Sequence, residues 1–175
     1  MNTYYLDIET TGLFPSLDKI ITIQYQKIDS LGNPLEPLTI LKEWDNSERA
    51  ILSGFYPIMT EPKTIFVGKN LSFEYAFFGE KYRKYEMLDL TFEDFNKQMM
   101  IDVYSVCVLI NKGVFLGWSK IIQNTNSIMN HEILILYKNK QYDKILSYIK
   151  TETSDFLNFY RNIALLLPKL KKVLS

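Results

Sequence analysis

The chain has 175 residues, about the length of one domain, and its 47% hydrophobic and 23% charged residues exclude the disordered and collagen-like classes. Its 20 basic and 20 acidic residues cancel, which excludes the strong non-specific binding to nucleic acid that a basic protein shows. The single cysteine, Cys107, excludes an intrachain disulfide framework, and no stretch reaches the roughly 18 apolar residues of a membrane span. We therefore expect one domain over residues 1–175, cytoplasmic and with no membrane association.

Three strands are predicted at the start of the chain. Residues 4–9 and 19–28 are rich in aromatic and β-branched side chains, which is typical of strands. Turn residues at 31–34 precede an apolar run at 38–41, and this order predicts a hairpin into a third antiparallel strand.

The middle of the chain alternates between helices and short strands. A helix is predicted over 46–54, ended by the prolines at 57 and 62, and a short buried strand follows over 64–67. Ser72 is expected to cap a helix that runs to Lys81, because apolar residues recur there at helical spacing. A last strand is predicted over 99–103.

Helical patterns fill the rest of the chain. Predicted helices cover residues 104–110, 116–123, 132–137, 143–160 and 163–173. Antiparallel strands, then strands that alternate with helices, predict an α/β fold in which a mixed sheet is flanked by helices on both faces.

Two acids in the first strand are candidate metal ligands. Asp7 and Glu9 lie two residues apart, so their side chains project from one face of the strand, about 7 Å apart at the backbone. Tyr5 shares that face, whereas Leu6 and Ile8 point into the core. Neighbouring carboxylates repel each other unless one is protonated or a cation lies between them. A divalent cation accounts for the pair, and the alternative is an edge strand whose acids face water.

The segment that begins at Asp7 resembles the first motif of the DEDD exonucleases, a superfamily that includes polymerase proofreading domains, ribonuclease D and oligoribonuclease. The segment reads Asp7-Ile8-Glu9-Thr10-Thr11-Gly12-Leu13. The resemblance implies a ribonuclease H-like fold, metal-binding acids and a turn whose backbone approaches the terminal nucleotide. The implied substrate contacts come from Thr10, Thr11, Gly12 and Leu13. Phe14 follows the turn directly and is a candidate for stacking on a base.

A second motif of this superfamily joins an Asn to an aromatic residue and an acid. Asn70, Phe73 and Glu74 match that pattern, with Glu in the place of Asp. The resemblance implies that Glu74 binds metal and that Asn70 and Phe73 contact substrate. The alternative for Glu74 is an ordinary exposed acid in the first turn of a helix, which the helix dipole favours.

The third motif of the tyrosine branch is a Tyr followed four residues later by an acid. Tyr148 and Glu152 have this spacing, again with Glu for Asp, and the spacing places both on one face of a helix. This part of the chain is similar to the end of archaeal and phage family B polymerase-type proofreading exonuclease domains. Asp155 lies seven residues from Tyr148, so its spacing does not match, and His131 has no acid four residues away.

The resemblance implies a reaction and its cofactors. Asp7, Glu9, Glu74 and Glu152 would hold two Mg²⁺ or Mn²⁺ ions, and the Tyr148 hydroxyl would orient a water molecule. The expected activity is hydrolysis at single-stranded DNA or RNA 3′ ends, with release of nucleoside 5′-monophosphates. A polymerase or another replication or repair protein is the partner that such a domain would serve. The alternative is a ribonuclease H-like module that binds nucleic acid or a polymerase without cutting, which the two Asp-to-Glu changes favour.

Other charged residues have two interpretations. Asp102 either caps the helix before Tyr104 or supports the acidic cluster. Basic residues group at 81, 83 and 84 and again at 169, 171 and 172. Either group would form a solvated helix face or meet phosphates.

Overall fold

The computed structural model describes residues 1–114 and 130–174. The strands are β1 (Asn2–Thr10), β2 (Ile20–Ile28), β3 (Thr39–Lys42), β4 (Thr64–Gly68) and β5 (Met99–Asp102). The helices are α1 (Glu48–Met59), α2 (Leu71–Lys84), α3 (Phe92–Lys97), α4 (Val103–Ile110), α5 (Asn130–Lys138) and α6 (Tyr142–Leu174), with a short 3-10 helix at Glu43–Asp45. The helix predicted over 116–123 lies outside the described residues.

The strands form one mixed sheet in the order β3-β2-β1-β4-β5. β1, β2 and β3 are antiparallel neighbours, and β4 and β5 run parallel to β1. The prediction of three antiparallel strands joined to parallel strands is therefore confirmed. The pairing of β1 with β4 ends at Tyr5, whereas its pairing with β2 continues to Thr10. The second half of β1 thus extends beyond β4, at the carboxyl ends of the parallel strands, where α/β sheets form their binding crevices.

Apolar clusters cover both faces of the sheet, as predicted. On one face Leu6 and Ile8 of β1 pack with Phe55 of α1 and Phe78 of α2. On the other face Tyr5 joins a cluster that draws on α4 and α6 and contains the buried Cys107, Phe156 and Tyr160. The alternation of β1 side chains therefore divides the strand between two cores, and the face of Tyr5 is also the face of Asp7 and Glu9.

Two predicted helix boundaries are wrong. α1 continues through Pro57 to Met59. Because proline has no N–H, the carbonyl of Ser53 loses its helical hydrogen bond, but Ser53 is exposed and solvent can donate to that carbonyl instead. The chain from Tyr142 to Leu174 is one helix rather than two, because residues 161 and 162 include neither glycine nor proline.

The predicted cap of α2 is also wrong. Ser72 lies inside the helix, and Asn70 precedes it in a left-handed conformation (φ 60°). The carboxylate of Asp102 accepts the N–H groups of Asn70 at 2.8 Å and Leu71 at 2.9 Å. It also accepts the N–H of Tyr104 at 2.9 Å, so Asp102 caps α4 as expected and α2 in addition.

α3 was not predicted, although its start carries a recognisable signal. The side chains of Thr91 and Asp94 exchange hydrogen bonds with each other's backbone N–H groups, which is a capping box. The rest of the helix is too short for a periodic apolar pattern.

The interpretation of Lys81 as part of a solvated helix face is wrong. Its side chain is buried and lies 3.9 Å from the carboxylate of Glu48. Glu48 is buried as well and accepts hydrogen bonds from the Ile20 N–H at 2.7 Å and the Tyr85 hydroxyl at 2.8 Å. This polar contact joins α1, α2 and β2. Arg83, in contrast, is exposed as expected, and the side chains at 169, 171 and 172 lie outside those described.

In the described parts of the chain, no helix combines the length and the apolar character that crossing a membrane would require.

Candidate active site

Asp7 and Glu9 lie on the part of β1 that extends beyond β4. Gln24, directly opposite Asp7 in β2, donates from Nε2 to Asp7 Oδ2 at 2.8 Å. The Thr22 hydroxyl in turn donates to Gln24 Oε1 at 3.0 Å, so a buried chain of polar groups orients the Asp7 carboxylate. Sequence reasoning missed this support. The signal was present as two polar residues, buried in a strand that is otherwise mainly apolar.

α6 brings a third carboxylate to the same place. One carboxylate oxygen from each of Asp7, Glu9 and Glu152 lies within 4.8 Å of the others. The helix is held against β1 by the packing of Phe156 on Tyr5, whose ring centroids are 5.0 Å apart. Residues far apart in the chain are therefore brought together as the sequence motifs predicted.

Glu74 lies in the first turn of α2 and is only 4% exposed. It is outside the three-acid group but lines the same cavity. Its Oε2 is one of two buried side-chain nitrogen or oxygen atoms in the described residues that have no hydrogen-bond partner. A buried carboxylate oxygen without a partner is costly, and a cation in the cavity would satisfy it.

The acids open into a cavity of about 520 Å³. The lining residues are Asp7, Ile8, Glu9, Thr10, Thr11, Gly12, Leu13, Lys69, Asn70, Phe73, Glu74, Leu134, Tyr148 and Glu152. Every candidate residue from the sequence therefore lines the cavity except Phe14, which is 64% exposed on the adjacent loop. Lys69 and Leu134 were not predicted.

The turn after β1 is held in a defined shape by Asp18. Its carboxylate accepts hydrogen bonds from the Phe14 N–H at 3.0 Å and the Thr11 hydroxyl at 3.2 Å. A Cβ at Gly12 would come within 2.4 Å of the same carboxylate, so any larger residue would push Asp18 away from these hydrogen bonds. The backbone between Thr11 and Phe14 is thus presented to the cavity in a fixed conformation.

Burial and mutual repulsion dominate the electrostatics of the acids. Burial raises the pKa of Asp7 to about 7, helped by the charge of Glu152 and opposed by Lys69 and Gln24. Burial, followed by the charges of Asp7 and Glu152, raises the pKa of Glu9 well above its usual range. Burial and the Asp7 charge do the same to the pKa of Glu74. Without metal, Asp7, Glu9 and Glu74 therefore tend to hold protons near neutral pH, and a divalent cation would displace those protons.

Tyr148 contributes a protonated hydroxyl. Burial, then the charge of Glu152 one helical turn away, raises the pKa of Tyr148 far above its usual value. The hydroxyl therefore remains a hydrogen-bond donor at any physiological pH, beside the acids that share its cavity.

Lys69 is the basic side chain among the cavity-lining residues. Its Nζ lies 3.5 Å from Glu152 Oε1. Burial lowers the pKa of Lys69, but the charges of Glu152 and the other acids outweigh it, so the pKa is raised and the ammonium is retained. The residue stands between Gly68 and Asn70 in the second motif, and its proximity to the acids could not be seen from that position alone.

The donor set fits a hard divalent cation. Carboxylate oxygens are the ligands that Mg²⁺ and Mn²⁺ prefer, and the cavity supplies four carboxylates. Asp7, Glu9 and Glu74 have raised pKa values, and Glu74 also has an unpartnered oxygen. The arrangement can concentrate positive charge where a phosphodiester would meet it.

Comparisons with known proteins agree with the sheet topology. A family model of the RNase H superfamily matches residues 4–125. Similar solved structures include apo exonuclease I, with a TM-score of 0.50, 17% identity and coverage of 67% of this chain and 32% of that one. A zinc-bound complex of E. coli exonuclease I with single-stranded DNA has a TM-score of 0.51 and 17% identity. The match covers 69% of this chain and 32% of that one. A further exonuclease I structure has a TM-score of 0.51 and 16% identity, and the match covers 63% of this chain and 30% of that one.

The chain spans about a third of the exonuclease I chains that it resembles, and identities this low show a shared fold. No curated protein sequence matches the chain significantly. Because the family model covers well over half of its length, the chain belongs to the RNase H superfamily.

Proposed function

We propose that this chain is a metal-dependent 3′-5′ exonuclease of the tyrosine branch of the DEDD superfamily. It would hydrolyse the terminal phosphodiester of single-stranded DNA or RNA and release nucleoside 5′-monophosphates. The observation that carries the proposal is the approach of Asp7, Glu9 and Glu152 to within 4.8 Å in a cavity that also contains Tyr148 and the buried Glu74.

The acids are the proposed ligands of two Mg²⁺ or Mn²⁺ ions. Asp7, Glu9 and Glu152 would hold one ion, and Glu74, with Asp7, would hold the other. Two ions held by these residues would supply activation of a water molecule and stabilisation of the leaving 3′ oxygen. The Thr22–Gln24–Asp7 hydrogen-bond chain supports this assignment, because ligands of metal ions are normally oriented by such outer contacts.

Tyr148 is proposed to orient the attacking water. Its hydroxyl lines the cavity beside Glu152, and its elevated pKa keeps it protonated. A protonated hydroxyl can donate to one oxygen and accept from a water molecule at the same time, so it can hold water in line with a phosphodiester.

The turn after β1 is proposed to receive the terminal nucleotide. The Asp18 contacts fix its backbone, and Asn70 and Phe73 also line the cavity. Leu13 and Phe14 are 63% and 64% exposed beside it, which suits stacking on unpaired bases. A cavity of about 520 Å³ has the size of a small-ligand site, so a duplex end would have to separate to enter it.

The test is a cleavage assay with single-stranded DNA and RNA oligonucleotides labelled at the 5′ end, in Mg²⁺ or Mn²⁺. The wild-type protein should produce a ladder that shortens from the 3′ end, and Asp7→Asn should abolish it. Asp45→Asn is the matched control, because Asp45 is an exposed acid that pairs with Lys42 away from the cavity lining. A phosphorothioate at the 3′-terminal linkage should block the reaction if its direction is 3′ to 5′.

The rival proposal, a non-catalytic module of the same fold, predicts a different result. Neither oligonucleotide would be cleaved, although one of them would still bind. Association with a polymerase or another replication or repair protein remains a prediction from the sequence.

A further inference from the structure

Lys69 brings a positive charge into the cavity that holds the acids. Its Nζ is 3.5 Å from Glu152 Oε1, and its side chain is 29% exposed. Among the described residues that line the cavity, it is the one with a basic side chain. The proposed function leaves this residue without a role.

The backbone on both sides of Lys69 is fixed. A Cβ at Gly68 would lie 2.7 Å from the Leu6 carbonyl oxygen, so the chain passes close against β1 at that point. On the other side, Asp102 holds the N–H groups of Asn70 and Leu71. The Lys69 side chain therefore starts from a fixed position at the end of β4, beside the second half of β1.

A charge count shows what this ammonium does to a metal site. Four ionised carboxylates would be balanced by two divalent cations. The ammonium of Lys69 adds one more positive charge, so the site with both ions bound would carry a net positive charge of one. Glu152 is at once the partner of this ammonium and a proposed ligand of the metal, so the two cations compete for one carboxylate. Lys69 therefore opposes divalent metal in two ways, by pairing with a ligand and by repelling the ion.

We propose that Lys69 is a built-in competitor of the divalent metal, which pairs with Glu152 in the free protein and weakens metal binding there. The proposal rests on the metal centre of the proposed function. It makes Lys69 a residue that sets the metal concentration at which the site fills, rather than a group that touches the reacting atoms. The excess positive charge that remains after both ions bind is matched by the single negative charge of a phosphodiester, so substrate would favour the filled site.

The test is a titration of the metal-free full chain with Mn²⁺, followed by calorimetry and by the electron paramagnetic resonance signal of free Mn²⁺. Lys69→Met removes the charge and retains most of the length of the side chain, and Lys69→Arg retains the charge. Lys97→Met is the matched control, since Lys97 is an exposed lysine paired with Glu93 in α3. Circular dichroism checks that each variant folds, and Lys69→Gln replaces Lys69→Met if that variant does not.

We expect Lys69→Met to bind Mn²⁺ at least about tenfold more tightly than the wild type, and Lys69→Arg to stay within about threefold of it. Lys97→Met should match the wild type. The proposal is overturned if the wild type binds Mn²⁺ and Lys69→Met binds it equally or more weakly, which leaves the metal centre intact. If neither the wild type nor Lys69→Met binds Mn²⁺, the metal centre fails and this inference fails with it.

Discussion

Replacing Glu74 by Met should stabilise the metal-free protein and remove most of the stability that divalent metal adds. Glu74 is 4% exposed, and its Oε2 has no hydrogen-bond partner. Burial and the Asp7 charge raise its pKa well above the usual range. The side chain is therefore poorly accommodated by the metal-free protein. A side chain that lowers stability in this way is expected to bind a ligand.

The magnitude without metal follows from the unpartnered oxygen. A buried polar group without a partner costs about 1–3 kcal/mol, and an apolar side chain of similar shape removes that cost. We expect Glu74→Met to raise the free energy of unfolding in EDTA by about 1–3 kcal/mol. For a chain of this size each kcal/mol raises Tm by about 2–4 °C. Urea unfolding and thermal scans in EDTA measure the change.

The magnitude with metal follows from mass action. Wild-type protein at a Mn²⁺ concentration about 100 times the dissociation constant should gain about 2.7 kcal/mol. Glu74→Met lacks a ligand and should lose most of that gain, so that the two proteins differ less, or reverse their order, in Mn²⁺. Glu80→Met is the matched control, because Glu80 lies on the same helix, outside the cavity lining. Reduced stability of Glu74→Met in EDTA, or an unchanged response to Mn²⁺, would refute the reasoning.

Three further predictions test other parts of the protein. The pKa of Asp7 is raised from 3.8 to about 7. Its contribution to the stability of the metal-free protein is therefore complete below about pH 4 and is lost as the pH rises through about 7. Thermal scans in EDTA should show Tm falling over that pH range, and the fall should be smaller in Asp7→Asn. Tyr148→Phe should lower kcat by about 100-fold or more and leave the Mn²⁺-induced rise in Tm unchanged; loss of that rise would show a structural role instead. Glu48→Gln should lower the free energy of unfolding by about 3 kcal/mol or more, because it leaves Lys81 buried without its carboxylate; urea unfolding measures it, and a change below about 1 kcal/mol would contradict the account.

Features that depend on neighbouring residues could be predicted from the sequence. The alternation of β1 correctly separated Leu6 and Ile8 from the face of Asp7 and Glu9, because a strand has a period of two. The spacing of Tyr148 and Glu152 correctly predicted a shared helical face that lines the cavity. These inferences need only local geometry.

Features that depend on distant pairing could not be predicted in the same way. Gln24 supports Asp7 because of the register between β1 and β2, and no local pattern states that register. Asp102 caps α2 because β5 pairs with β4 and ends beside the start of that helix. Lys69 faces the acids for the same reason: its position depends on where β4 ends relative to β1.

The Asp-to-Glu change at position 152 has a geometric explanation that does not require loss of function. A carboxylate at position 152 that was one methylene shorter would end about 1.5 Å nearer the backbone of α6. In this protein the longer Glu152 side chain brings its oxygen within 4.8 Å of oxygens from both Asp7 and Glu9 and also reaches Lys69. Helix position and side-chain length can therefore compensate for each other, since a helix packed slightly farther from β1 requires the longer acid. The departure from the motif at position 152 consequently favours the non-catalytic module less than the sequence alone indicated.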